Sequence, residues 1–437
     1  DGRLEDLHLA QPDLLDARLA LEDARVQSGH VVLGGGRSGP LPGKDHLLVE
    51  GRLHSFDLSA WEPVFDTPQG ETQALPSRID LRADLGSLKA LGGTWEAVQI
   101  EGQRDPTGWR LRLDAPQLAG RIGIPARPTL AEPVSLDLDR LVLAEDEETP
   151  SASESRAERA PPANPATLPP LKIHVGELRQ GELRLRQVQA RTLPQTRGLL
   201  VQDIQADSGH LALRGEGSWL LDGGNRHQTS LALNLSSANV GEALGELGFQ
   251  NTLQRGRLED TQLSLRWADA PDRFGWAILE GEARFNVHDG ALESVEPGAG
   301  RVLGLLSVAE LPRRLLLDFG DVFGEGLRFD RIAANLRFQD GRAISELTQL
   351  NGPSAQIYMK GYSDMIQRTL HYDMVVVPAL GNVLPIIGTV AGGPLVGGAV
   401  FLLQKVFDQV AGELSGFNYR ITGSWDAPLV ERVETTQ

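Results

Sequence analysis

The chain has 437 residues, no cysteine, and 59 acidic against 42 basic residues, for a net charge of −17. That length allows two or three domains and a large core. The absence of cysteine excludes disulfides, thiolate metal sites and cysteine nucleophiles. The acidity opposes a phosphate backbone, so nucleic acid is not expected as a partner.

The chain opens at Asp1, with no basic stretch leading into an apolar one. Its first residues read as the middle of a repeating pattern, which points to a piece of a longer protein. Residues 1–143 form a first β segment. Within it, Gly34-Gly35-Gly36-Arg37-Ser38-Gly39 looks at first like a phosphate cradle. It lacks the Lys-Ser/Thr ending, and Pro40 and Pro42 oppose a following helix, so it reads as a flexible hairpin tip. Leu136-Asp137-Leu138-Asp139 alternates apolar and polar residues, as a strand with two unlike faces requires.

Residues 144–170 lack aromatics and β-branched apolar residues and are rich in Pro, Ser, Ala and Glu. They cannot bury enough surface to order themselves. The same strand grammar runs on both sides, which favours a disordered loop within a sheet over a domain linker. From 171 to 377 the alternation returns, at 183–186, 211–214, 231–235 and 263–267. Asp222–Gly224, Asp289–Gly290, Asp340–Gly341 and Asn351–Gly352 punctuate it as turns. The pattern is a mainly β fold, a long antiparallel meander with few helices. One helix is predicted over 239–248, where Asn239 and Glu242 have capping-box spacing. Another is predicted over 300–311, ending at Pro312 and followed by Arg313 and Arg314, candidates for contact with an acidic or phosphate headgroup.

Residues 374–404 contain no charged side chain. The run exceeds the roughly 20 residues that cross a bilayer, but Pro385, Pro394 and six glycines break regular helix. It reads as an apolar helical hairpin within 378–416. Val383, Leu384, Ile386, Ile387, Val390, Leu395, Val396, Val400, Phe401 and Leu402 are its membrane- or exit-facing candidates. Two outcomes stay open: insertion into lipid, or plugging one end of the sheet. A terminal strand follows over 417–437.

Reactive chemistry is hard to find. The nine histidines are scattered singly, with no helical i, i+4 pair, so no metal site is expected. No Gly-x-Ser-x-Gly elbow occurs. Neither cofactor nor catalytic residues are expected.

Gly298–Ile332, with GAGRVLGLLSVAELPRRLLLDFG, resembles the closing region of the YhdP family of AsmA-like envelope proteins. So do Asn351–Pro378, the Gly-rich apolar run and Tyr419–Val433. The resemblance is strongest from about residue 165. It implies a long, strongly curved β-sheet forming an open hydrophobic groove in the periplasm of a Gram-negative bacterium. It also implies anchoring in the inner membrane through a segment upstream of Asp1, a C-terminal end near the outer membrane, and phospholipid as the cargo. The alternation then selects Leu211, Leu213, Leu231, Leu233, Leu235, Leu263, Leu265, Ile357 and Val375 as groove liners. Such a surface is what acyl chains need, because exposing the roughly 30 methylenes of a two-chain lipid to water costs on the order of 20 kcal/mol. Two competing readings are a β-augmentation scaffold or chaperone for outer-membrane proteins, and an enzyme whose titratable groups converge from distant positions.

Overall fold

The computed structural model describes residues 5–23, 25–57, 75–90, 93–143, 162–181, 183–246, 253–292, 327–378, 417–425 and 427–433. They hold 22 strands, one short α-helix and two single 3-10 turns. The chain forms two compact units, Asp1–Ala160 with Thr167–Pro194, and Pro161–Ala166 with Gln195–Gln437. The boundary at 194/195 falls at the end of a strand, and those at 160/161 and 166/167 fall within the acidic, Pro-rich stretch.

The first unit contains β1 (Glu5–Gln11), β2 (Leu15–Glu22), β3 (Arg25–Leu33), β4 (His46–Asp57), β5 (Arg78–Ala90) and β6 (Gly93–Asp105). It continues through β7 (Gly108–Asp114), β8 (Leu118–Pro125), β9 (Val134–Leu143), β10 (Leu171–Gln180) and β11 (Leu183–Gln195). Each strand pairs with its sequence neighbour. Three of these pairs, β3–β4, β4–β5 and β9–β10, are parallel, unlike the purely antiparallel meander that the alternation suggests. Parallel neighbours need long crossovers, and these three have them: 34–45, 58–77 and 144–170.

The glycine-rich 34–39 segment therefore opens a crossover and is not a hairpin tip. It is tied down: Ser38 Oγ and N–H both donate to Asp16 Oδ1, and the Gly39 N–H donates to His30 Nδ1 at 2.8 Å. Those two bonds from Ser38 hold the Asp16 carboxyl at a pKa of about 2. The core of this unit gathers Leu85, Leu88, Trp95, Val98, Leu113, Leu118, Leu138 and Val175 on one face of the sheet.

The second unit contains β12 (Gly198–Asp207), β13 (Ala212–Leu221), β14 (His227–Ser237), β15 (Leu253–Trp267), β16 (Leu279–Leu292) and β17 (Leu327–Gln339). Then follow β18 (Arg342–Asn351), β19 (Ala355–Asp364), β20 (Thr369–Pro378), β21 (Phe417–Gly423) and β22 (Pro428–Val433). All ten neighbouring pairs are antiparallel. Asp340 and Gly341, at φ +52° and +72°, form a two-residue turn between paired Gln339 and Arg342, the backbone that Asp-Gly favours.

Asp289–Gly290 is not a turn. Asp289 (φ +56°) lies inside β16, and the pairing keeps the same register on both sides of it. Where one terminal strand is expected there are two, β21 and β22, joined by a tight turn. In each unit the sheet stays open: β1 pairs only with β2, and β22 only with β21, among the described residues.

The helix α1 (Val240–Glu246) joins β14 to β15 within the predicted range. Asn239 Oδ1 accepts the Glu242 N–H at 3.4 Å, while the Asn239 N–H goes to Ser237 Oγ at 3.1 Å rather than to Glu242. Val240 and Ala243 are buried, and Leu244 packs on the main apolar cluster. Gly241 permits this docking, since a Cβ there would lie 2.3 Å from the Leu253 carbonyl oxygen. Among the described residues no helix is long and apolar enough to cross a membrane.

Gly241 sets two effects against each other. Alanine favours helix by about 1 kcal/mol, whereas forcing α1 off the β15 backbone costs about 1–3 kcal/mol. Gly241→Ala is expected to lower stability in urea unfolding; a gain would show that α1 does not rest on β15.

Candidate functional site

Because each strand alternates, the register lines up residues of one face into rows across the second unit. One row crosses all eleven strands: Ile204, Gly215, Leu233, Leu263, Ala283, Leu336, Ser345, Gly361, Tyr372, Ile421 and Val430. Beside it runs Val201, Gly217, Leu231, Leu265, Gly281 and Phe338. On the other side lie Ala206, Leu213, Leu235 and Thr261. At about 4.8 Å per strand, the long row extends about 48 Å measured along the sheet.

Cover is uneven along these rows. Over β13–β15 the leucines are half-buried. From β17 to β20 the same face is packed shut: Leu336 is 4% exposed, Leu350 and Ile357 1%, Met374 1% and Val376 0%. Gly215 and Gly217 form a flat floor under the open part. A Cβ on either would meet the Cδ2 of Leu233 or of Leu231 at 2.8 Å, so those two side chains lie down over the glycines.

Seven of the nine liner candidates, Leu211, Leu213, Leu231, Leu233, Leu235, Leu263 and Leu265, come together on this half-covered face. Ile357 shares the face but sits in its closed core. Val375 does not share it. It pairs with Tyr358 and Asn418, one step out of phase with Met374 and Val376, and so lies on the opposite face. Val375 and Tyr358 are each 1% exposed there. The hairpin candidates between 383 and 402, Arg313, Arg314 and the helix predicted at 300–311 lie outside the described residues.

The first unit has an apolar surface that none of the nine liner candidates touches. Gly51, Ala83, Ile100, Leu113, Gly120, Leu138, Val175 and Val188 form one row. Ile100, Ile122, Ile173 and Val188 are half-buried against its core. The alternation at 136–139 and 183–186 carries that signal.

The opposite faces are charged. In the first unit Arg82, Glu101, Arg112, Arg121, Asp137 and His174 stand in register. In the second, Arg266 pairs with Glu280 at 2.6 Å and Arg337 with Glu346 at 3.3 Å. Exposed pairs of this kind are each worth a few tenths of a kcal/mol to about 1 kcal/mol. Their main effect is on register, because a one-residue slip would put them on the apolar side.

Two clusters are more strongly shaped. His174 Nδ1 lies 2.9 Å from Asp137 Oδ1, and Arg121 donates to Asp137 Oδ2 at 2.8 Å, linking β8, β9 and β10. The hydrogen bond to Asp137 raises the His174 pKa, and the bonds from His174 and Arg121 lower that of Asp137. At the end of the open leucine patch, Glu246 of α1 accepts from Ser208 Oγ at 2.6 Å and lies 2.8 Å from His210 Nδ1. Burial pushes the Glu246 carboxyl up, but the bonds from Ser208 and His210 outweigh it and leave its pKa lowered. Among the described residues no three His, Asp or Glu side chains are grouped to hold a metal ion.

An open sheet, largely ion-paired on one face and aliphatic but incompletely covered on the other, defines a two-faced β scaffold. The chain belongs to the YhdP family: the profile of that family, described as YhdP protein, matches residues 5–430. It is 32% identical over 243 residues to the "Intermembrane phospholipid transporter YhdP" of Escherichia coli (strain K12), an alignment that covers 55% of this chain and 19% of that protein. The chain therefore corresponds to a minor part of the relative's length. No solved structure matches.

The Asp137–His174 contact makes a pH-dependent clasp. A raised histidine pKa contributes stability fully below about 6.5, lost as pH rises through the folded value. A lowered aspartate pKa contributes above about 3.9, lost as pH falls through its folded value. NMR titration of His174 is expected to give a midpoint above 6.5 that drops in Asp137→Asn. A midpoint at or below 6.5 in the native chain would contradict the contact.

Proposed function

We propose that this chain carries phospholipid through the periplasm between the inner and outer membranes, as the outer-membrane-proximal part of a longer protein. Acyl chains lie against the aliphatic rows, headgroups stay toward water, and no bond is made or broken. The observation that carries this reading is the patch of half-buried leucines over β13–β15, on a face that is closed from β17 to β20. The name of the Escherichia coli relative, an intermembrane phospholipid transporter, supports phospholipid as the cargo.

The dimensions agree. A hydrocarbon core of about 30 Å gives one acyl chain a reach of about 15 Å. Three strands span about 14 Å at their outer limits when side chains are included, and three rows about 7 Å apart span a similar length. A single chain thus fits within the open patch whichever way it lies. Beyond β17 the rows close, which suits the end of a path better than its middle. Lying on leucine rather than in water offsets about 0.8 kcal/mol per methylene covered, and the polar side chains on the rows, Thr261, Ser345 and Tyr372, are buried, which leaves the lipid free to move along them.

Mass spectrometry of the purified protein tests the reading. Leu233→Asp and Leu213→Asp place an unpaired carboxylate under the lipid and are expected to reduce bound phospholipid at least about tenfold. Asn234→Asp, on the opposite face, should leave it unchanged. Normally folded Leu233→Asp protein that holds phospholipid at native levels would refute the assignment.

A further inference from the structure

The connections of the second unit alternate between the two ends of its strands. One end carries the 268–278 loop between β15 and β16, the Asp340–Gly341 turn and the 365–368 turn. Three large apolar side chains are exposed there: Phe274 at 46%, Trp276 at 41% and Ile366 at 60%. They are neighbours. The Phe274 and Trp276 rings meet edge-on at 5.2 Å. A Cβ built on Gly341 would lie 2.4 Å from Ile366 Cδ1 and 3.8 Å from Ala277 Cα, which sets the 365–368 turn against the loop that bears Trp276.

The cluster also continues the apolar face. Phe274 packs edge-on at 5.6 Å against Trp267, whose ring is in the main core and whose indole N–H is satisfied by the Ala270 carbonyl at 3.0 Å. A buried anchor holds an exposed aromatic pair at a loop tip, beyond the hydrogen-bonded strands.

We infer that this tip cluster seats in the interfacial layer of a zwitterionic phospholipid bilayer, bringing the margin of the apolar face to a membrane surface. It rests on the reading of the chain as a lipid carrier. The chemistry fits in two ways. Trp and Phe beside an aliphatic residue suit the boundary between headgroups and hydrocarbon. The surrounding loops carry four aspartates and three arginines over 268–278, 340–342 and 364–368, close to neutral. Several of these charges are engaged locally: Asp364 accepts from the N–H groups of Ile366 and Gln367, Asp269 accepts from the Ala270 N–H, Arg342 lies 4.6 Å over the Tyr362 ring, and Arg368 lies 5.6 Å over the Trp425 ring. A surface of this charge has no preference for anionic lipid, so the docking should be insensitive to salt.

The absence of cysteine makes the test direct, because Ile366→Cys gives one labelling site for an environment-sensitive fluorophore. With phosphatidylcholine vesicles brominated in the acyl chains, that label is expected to be quenched, equally at about 50 and about 500 mM salt. A label on Asn234→Cys should not be. Adding Phe274→Ser and Trp276→Ser should raise the lipid concentration for half-maximal quenching at least about tenfold. No quenching at 366, quenching abolished by salt, or quenching indifferent to the serine pair would each overturn the inference. Leu233→Asp separates it from the carrier reading. If that variant loses bound phospholipid while the native chain labelled at 366 stays unquenched, the carrier stands and the docking falls. If the variant keeps its phospholipid and the 366 label is quenched, the docking stands alone.

Discussion

Period-two alternation, carried by strands that pair with their sequence neighbours, is the constraint on which the rest depends. Most strands have one apolar and one polar face, and direct pairing of neighbours brings like faces together over eleven strands in a unit. The result is a surface rather than a ball. A ball buries its apolar residues by wrapping. An open sheet can do so only by laying something over them, and in the second unit that cover is complete beyond β17 and partial over β13–β15. The charged face complements this arrangement. Its ion pairs add little energy singly but penalise any slip that would exchange the faces.

The graded cover connects energetics to function. A fully packed face would be stable and inert. A bare one would expose apolar area on the scale that drives aggregation. Half-buried leucines lie between these limits. Leu231 and Leu233 lie flat over Gly217 and Gly215, so the floor is smooth there. Where α1 meets the patch, Glu246 ties the helix to Ser208 and His210. The margin of the open area is thus fixed by polar contacts, while its floor is left apolar.

Much of this was legible in the sequence because alternation is a local signal. Leu231, Leu233 and Leu235, separated by Ala232 and Asn234, announce a face, and the register brings them against Leu265, Leu263 and Thr261. Val375 could not be placed by the same logic. It lies in Met-Val-Val-Val, where every position is apolar, and only its pairing with Tyr358 reveals the face. The parallel crossovers were hidden for a different reason: residues 34–45 and 144–170 look like any long loop, and strand direction is decided by distant partners. Asp289–Gly290 misled because the positive φ that marks Asp-Gly turns also occurs at Asp289 inside a continuous strand. Bulges also break the parity count, as between Val201 and Ile204, which share a face three residues apart.

Pairing each strand with the one before and after it has a consequence for assembly. Within the second unit the partners are close in the chain, with no strand from far away needed to complete the ladder. Contacts of short range favour rapid formation, and growth can proceed strand by strand, much as in linear repeat arrays. A protein organised in this way can lengthen by adding hairpins at an end without redesigning an interior.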